Sequence, residues 1–412
     1  MKTFSLLLIP VFLFSSFVSL EISSKGLSFD IYIDLGDVHG GITFTNALPF
    51  KLVSYLNPFY GDFVFIPKGF LSLDFKYLSL KIGRFDTLDD LRCEYPLFLS
   101  GKIVDPMSLD LTYEFENLTY RTKWIELYGD RGMNYKSLVW KSGGFRIGYQ
   151  ESTVYVDGSF NLDYFILPVP TFFAQHFLLS DVPAPRGENA NSIMGGFIEL
   201  HLENSRFYFQ VLVDDINMNR FFYPDRFQNP DKIAWNFGMD VKTSFGTFSF
   251  GSAGATKYTF ENTIPNLNYG YFYYPFYDYE GVPIPLDQNY IGYEKGENNL
   301  TFFLKYSAEN FKSKVEYSLT GSQSPFNPWH ELSSFPQGTH LLDDETLQKD
   351  LKLIFEHFTK FGDFQISFSS KLEWVWNVLE RVQGKDGGED ILVPSERNDF
   401  EGEFVLRFEY GF

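Results

Sequence analysis

The chain closes on DFEGEFVLRFEYGF, residues 399–412. Counting back from the last residue, Phe412, Tyr410, Phe408, Leu406 and Phe404 take every second position, and Val405, Arg407, Glu409 and Gly411 fill the gaps. Side chains of a strand point alternately to its two faces, so this segment has one continuous apolar face and one largely polar face. A soluble β-sandwich would rarely end on such a strand with no tail after the final aromatic ring.

Working outward, the composition narrows the setting for that strand. Aromatic residues make up 19% of the 412 positions, with 48 Phe and 26 Tyr. Charged residues are 21%, yet mean hydropathy is only -0.16, so bulk hydrophobicity gives no sign of helical membrane spans. With 34 Lys and Arg against 53 Asp and Glu the net charge is -19, which argues against a nucleic-acid partner, whose phosphates need a basic stripe. A single cysteine, Cys93, leaves no intramolecular disulfide and no Cys-based metal site.

The first residues, MKTFSLLLIPVFLFSSFVSL, place Lys2 before an apolar run from Leu6 to Val18, the pattern of a secretory signal peptide. We take residues 1–20 as that signal, with cleavage near Ser19 or Leu20, and 21–412 as one folded unit. Beyond residue 20 no run of 18 apolar residues occurs, so membrane insertion would have to use strands.

The body of the chain alternates throughout. LSFDIYIDL sets Phe29, Ile31, Ile33 and Leu35 against Asp30, Tyr32 and Asp34. FLSLDFKYLSLKIGRF, residues 70–85, alternates but switches its apolar face midway, as at a bulge or bend. GGFIELHLENSRFYFQVLVDD holds two strands around Glu203-Asn204-Ser205, and Val241 and Phe248 should pair across Phe245-Gly246. Short turns at Glu203-Asn204-Ser205, Ala308-Glu309-Asn310 and Lys360-Phe361-Gly362 alternate with long stretches at 172–192, 221–232, 263–288 and 321–343. Such asymmetry marks a transmembrane barrel with short periplasmic turns and long outer loops. Residues 343–361 carry a fair helical stripe, but Leu351, Leu353 and Phe355 also alternate, and a hairpin into Ile366, Phe368, Leu372, Trp374 and Trp376 is preferred. About 390 mature residues, at roughly 21 to 24 per strand and loop, give 16–18 strands. The fold expected is all-β, a single antiparallel transmembrane β-barrel of about 18 strands.

The terminal strand resembles the C-terminal β-signal of bacterial outer-membrane proteins, which the barrel-assembly machinery reads. Three further stretches resemble the capsule-assembly, Wzi-like family of outer-membrane barrels. In KIGRFDTLDDLRCEYPLFLSGKIVDPMSLDLTYEF, Gly83-Arg84 at a strand end leads into a loop and then Leu97-Phe98-Leu99-Ser100. RFYFQVLVDDI carries Tyr208, Gln210, Asp214 and Asp215, and YIGYEKGENNLTFFLKYS carries Ile291, Gly292, Gly296 and Asn298. The chain departs from the family where a Trp-Gly pair is usual and Thr87-Leu88-Asp89-Asp90 stands, and where a His- and Tyr-rich approach has lost its His. The resemblance implies a plugged lumen, an outer-membrane location and an outer surface that binds capsular polysaccharide.

A glycan binder needs aromatic faces to stack on sugar CH groups and polar groups to orient hydroxyls. Tyr269, Tyr271, Tyr273, Tyr274 and Tyr277 crowd one loop, and Arg220 and Arg226 flank Phe221, Phe222 and Tyr223 in another. The competing reading makes these rings membrane-interface girdle residues. Asp214 and Asp215 point to opposite faces of a strand, which disfavours a catalytic or metal-binding pair. Six scattered histidines and the lack of a nucleophile elbow or phosphate loop offer no catalytic residues, no metal and no cofactor. The NLT sequons at Asn117 and Asn299 are expected inside strands and without meaning. The expectation is a monomeric, non-enzymatic barrel in outer-membrane lipid that binds or organises exported surface polysaccharide. The alternative is a general or solute-specific porin, whose lumen would carry charged rings.

Overall fold

The structure is a computed structural model that describes residues 17–23, 26–46, 65–101, 106–127, 129–156, 158–166, 168, 170–171, 190–215, 230–260, 271, 290–323, 338–382 and 391–411. The first strands are Phe17–Ser23 (β1), Gly26–Asp34 (β2), Val38–Thr45 (β3), Phe65–Asp74 (β4), Leu78–Arg84 (β5) and Met107–Phe115 (β6). Then come Leu118–Leu127 (β7), Arg131–Ser142 (β8), Phe145–Tyr155 (β9), Ala190–His201 (β10), Ser205–Asp215 (β11), Lys232–Thr243 (β12) and Gly246–Ala255 (β13). The last are Asn299–Ser307 (β14), Phe311–Thr320 (β15), Gln348–Phe361 (β16), Phe364–Trp376 (β17), Leu379–Val382 (β18), Ile391–Pro394 (β19) and Asp399–Gly411 (β20). A short helix, α1, spans Leu162–Ile166.

Each strand pairs antiparallel with the next, except that β18 and β19 form a separate hairpin and β17 pairs with β20. β1 lies between β2 and β20, with Leu20 opposite both Phe29 and Phe408. The result is a closed 18-stranded antiparallel barrel. Closure satisfies every ladder position without an edge, which a wall in hydrocarbon requires.

The alternation read from the sequence sorts the two faces. Ile22, Leu71, Leu138, Ile198, Phe237 and Phe302 are exposed on the outside, as a lipid-facing band needs. On β20, Phe404, Leu406, Phe408 and Tyr410 share that outer face, where Phe404 stacks on Phe368 and Phe408 on Phe364. Phe412 lies outside the described residues. One end of the barrel carries only tight connections, at 35–37, 75–77, 116–117, 143–144, 202–204, 244–245, 308–310 and 362–363, and the described chain begins and ends there. Phe75, Tyr77, Phe115, Phe245 and Phe361 stand exposed at these turns and form a girdle. The long connections all leave from the opposite end.

Three expectations are corrected. The face switch in residues 70–85 is a hairpin turn at Phe75-Lys76-Tyr77, where Phe75 N donates to Leu78 O at 2.7 Å, and no bulge occurs there. Asn117 sits in the β6–β7 turn and Asn299 opens β14, so the first sequon is not inside a strand. The long stretch starting at 172 ends before Ala190, because Asn191 and Ser192 already pair with Val154 and Thr153. Within the ambiguous segment 343–361, residues 348–361 form the hairpin strand β16, as the alternation indicates.

One sector of the outer wall is itself covered. Lys136, Glu151, Thr122 and Thr153 share the outer face with exposed Leu138 and Ile147, yet all four are buried. The segment after β9 folds back over them: Thr171 N donates to Glu151 Oε1 at 2.7 Å and Thr122 Oγ1 to Phe165 O at 2.9 Å. Polar groups of this kind are costly against hydrocarbon, so this strip stands at the outer rim, above the apolar layer.

The expected signal boundary at residue 20 falls within β1, whose ladder to β2 and β20 begins at Phe17. N-terminal analysis of the mature protein is therefore expected to find its first residue at or before Phe17. A chain starting at Leu20 or Glu21 would lose half the closing strand and is expected to lose the heat-resistant mobility of a folded barrel on unboiled gels.

Candidate functional site

The connection between β5 and β6 is the longest inward excursion of the described chain. Gly83, at φ 125°, turns it off the wall, and a Cβ there would run into the Gly69 carbonyl. Arg84, opposite Gly69 and Met107, ends β5 on the outer face. From Phe85 the chain enters the lumen, and Leu91, Tyr95, Leu97, Phe98 and Leu99 are fully or almost fully buried.

The hydrophobic core of the protein forms here, inside the barrel. The plug residues Tyr95, Leu97, Phe98 and Leu99 pack with Ile125, Met133, Tyr135, Val154, Ile193, Leu212 and Phe303 of the wall. Burial of each such side chain contributes about 1.5–3 kcal/mol, enough to hold a loop against its ordering entropy. Small wall residues, Ala234, Ala253 and Ala255, make room for the rings.

Polar anchors fix the register of the plug. Gln210 on β11 is fully buried and faces inward, where Leu97 N donates to its Oε1 at 3.0 Å. Its Nε2 donates to Asp89 Oδ2 at 2.7 Å and to Gln150 Oε1 at 2.8 Å. Gln150 passes the chain to Tyr135, whose hydroxyl donates to Asp90 Oδ2 at 2.7 Å. Asn236 Nδ2 on β12 donates to Tyr95 O at 2.6 Å. Three wall arginines hold plug carbonyls: Arg121 reaches Leu88 O at 3.2 Å, Arg146 reaches Asp90 O at 3.1 Å and Arg206 reaches Leu91 O at 2.8 Å. Each arginine is oriented by a wall carboxylate, Asp110 for Arg121 and Glu199 for the other two. At the far wall, Glu94 meets Lys314 at 2.8 Å and Lys305 at 3.3 Å, and the Tyr95 hydroxyl donates to Glu316. Below the plug, at the short-turn end, a cavity of about 580 Å³ is lined by Arg92, Cys93, Glu94, Arg206, Asp240 and Lys305 among others.

A second segment caps the plug from the long-loop side. Ser100 N donates to Ile291 O at 2.9 Å, and Gly292 packs so closely that a Cβ would run into the Leu97 carbonyl. Gly296 closes the following turn by donating to Tyr293 O at 2.9 Å. Tyr271, expected among the exposed rings, is buried: it stacks on Phe260 and its hydroxyl donates to Phe98 O at 2.9 Å. Tyr269, Tyr273, Tyr274, Tyr277, Arg220 and Arg226 lie outside the described residues.

The stretches singled out in the sequence thus meet on one object. Gly83 launches the plug, Gln210 anchors it, and Gly292 and Gly296 shape its cap. Asp214 also faces inward, 3.3 Å from Lys232 Nζ, as a strand-end ion pair. Asp215 pairs with Lys232 across an irregularity of the β11–β12 ladder. Among the described residues no group of three His, Cys, Asp or Glu is placed to hold a metal. Sequence reasoning missed Arg121, Arg146, Arg206 and Asp89. The signal available was a charged residue at an inward position of a strand, repeated on neighbouring strands.

A closed 18-stranded wall, an apolar outer band and a lumen occupied by its own loop define an outer-membrane β-barrel with an internal plug, seated in the bacterial outer membrane. In fold the chain is similar to Wzi of Escherichia coli, an outer membrane protein involved in group 1 capsule assembly and a carbohydrate-binding β-barrel. The TM-score is 0.55 at 9% identity, over 99% of this chain and 87% of that one. OccD3 (OpdP) of Pseudomonas aeruginosa gives a TM-score of 0.44 at 12% identity, over 97% and 91% of the two chains. OccAB2 of Acinetobacter baumannii gives 0.45 at 8%, over 96% of each. No protein-family model and no curated relative matches the sequence. At these identities the likeness is one of fold.

Two outcomes follow from the anchors. Gln210→Ala removes its hydrogen bonds to Leu97 N, Asp89 and Gln150 and leaves the buried Leu97 N without its side-chain acceptor, a loss of about 2–4 kcal/mol in plug docking. Limited proteolysis should then cut at Arg92 while the barrel keeps its folded mobility. Asp89 is fully buried, and burial pushes its carboxyl up to about 6 against the hydrogen bonds from Gln210, Phe98 N and Leu91 N. In an undocked loop it would titrate near the ordinary 3.9, so docking is favoured by roughly 3 kcal/mol below that value, an advantage lost as pH rises through about 6. Amide protection factors of residues 85–101, corrected for the intrinsic pH dependence of exchange, should be higher at about pH 5 than at about pH 8, and Asp89→Asn should flatten the difference.

Proposed function

We propose that this protein is a non-enzymatic outer-membrane barrel that binds or organises exported surface polysaccharide. The observation that carries the reading is the plug. A lumen filled on one side by its own loop, held by Gln210, Asn236 and three arginines, suits a protein whose work is done at its outer rim rather than by conducting bulky solutes. The long connections leave from that rim, and two of them carry the Tyr-rich and Arg-containing sequences whose chemistry suits sugar rings and acidic groups. The Escherichia coli barrel with the similar fold is described as carbohydrate binding, which supports the same role here. In this reading the protein acts as a monomer, and the barrel-assembly machinery recognises β20.

Retention of the refolded protein on immobilised surface polysaccharide from the same host provides the test. Saturable retention is expected, with a loss of about tenfold or more for the triple variant Tyr273→Ala, Tyr274→Ala and Tyr277→Ala. Tyr271 is left intact because its ring belongs to the cap of the plug. A folded wild-type protein that passes through unretained would refute the proposal.

A further inference from the structure

The plug fills the barrel unevenly. Its anchors and the residues that orient them lie on β7, β10, β11, β12, β14 and β15, where Lys123, Glu199, Gln210, Asn236, Thr301 and Glu316 are sealed to 2% exposure or less. Across the lumen the inner wall is wet. Arg407 on β20 keeps 45% of its side chain exposed, Lys371 on β17 30%, and Glu21 on β1 and Glu409 on β20 24% and 23%. These side chains do face inward: Glu373 is bound to Lys352, which reaches Glu316 and through it the plug residue Tyr95, and the ladder puts Glu401 beside Glu373 and Glu21 beside Arg407.

The charge of this wet wall is lopsided. On β17, β20 and β1 the inward positions hold the carboxylates of Glu373, Asp399, Glu401, Glu403, Glu409 and Glu21 against the cations of Lys371 and Arg407. Glu401 stands directly opposite Glu373 in the ladder, and Glu373 is bound by Lys352 at 3.1 Å and Lys371 at 2.7 Å. The next strand continues the pattern with Asp30, held by Ser19 at 2.8 Å, and with Asp34. An 18-stranded barrel is wide enough to leave an aqueous channel beside a loop. Carboxylates in such a channel, walled by low-dielectric protein, concentrate cations and repel anions.

We propose that a crescent-shaped water passage between the docked plug and the β17–β20–β1–β2 wall conducts small monovalent cations through this barrel. The passage rests on the inner wall alone and is independent of the polysaccharide reading, which concerns the outer loops. Large solutes are excluded by the plug, whereas hydrated potassium or sodium moves along the acidic face.

The full mature protein, purified from membranes and inserted into planar bilayers, would be measured under a potassium chloride gradient. The expected result is a small conductance whose reversal potential has the sign of cation preference. The double variant Glu401→Gln and Glu403→Gln, checked for folded mobility on unboiled gels, should lower the cation-to-anion permeability ratio by about two-fold or more. Failure of the wild-type protein to conduct, a conductance without cation preference, or a ratio unchanged in the folded variant would each overturn the proposal.

Discussion

Closure is the constraint on which everything else in this molecule depends. A strand at the edge of a sheet presents unpaired N–H and C=O groups, and in hydrocarbon each costs several kcal/mol. Here the first and last strands of the described chain remove both edges together, because β1 pairs with β2 on one side and β20 on the other. The chain must therefore be threaded nearly completely before its wall is stable. The apolar side chains at alternate positions of β20 face the lipid only because that register is fixed.

Closure with 18 strands creates a second requirement. Side chains from the wall reach too short a distance to fill so wide a lumen, so it holds either water or another part of the chain. This protein uses both. The β5–β6 connection supplies a hydrophobic core on one side, with Leu97, Phe98 and Leu99 packed against Ile125, Met133 and Leu212. A buried loop carries backbone groups that no strand partner satisfies. The answer is a set of wall side chains, Gln210, Asn236, Arg121, Arg146 and Arg206, each aimed at a plug carbonyl or amide. Wall carboxylates in turn neutralise these arginines, which offsets the cost of burying their charge.

The opposite wall lacks this covering, and its side chains remain hydrated and mainly acidic. The two halves of one lumen thus have different solvents, protein on one side and water on the other. The outer rim differs again, for over β7–β9 the polar residues Lys136 and Glu151 are sheltered by the returning segment that carries α1. Inner plug, wet inner wall and sheltered rim all use the same strand periodicity with a different neighbour placed against it.

The sequence by itself determined what depends on periodicity. Alternation gave the strands, the face each residue takes, the hairpin at 343–361 and the pairing of Val241 with Phe248, because a period of two is a local property that a membrane barrel must respect everywhere. The short and long connections gave the orientation for the same reason. Residues 70–85 show the limit, since a switch of apolar face reads as a bulge or bend within one strand until the β4–β5 pairing shows a hairpin turn there. The candidate site was legible only as three separate stretches. That Gly83, Gln210 and Gly292 serve one loop, that Asp89-Asp90 is its docking point and that Tyr271 turns inward were decided by the tertiary structure. Those facts rest on contacts between different strands and loops, 113 positions apart for Leu97 with Gln210 and 173 for Phe98 with Tyr271, brought together by closure of the barrel, and no local pattern encodes them.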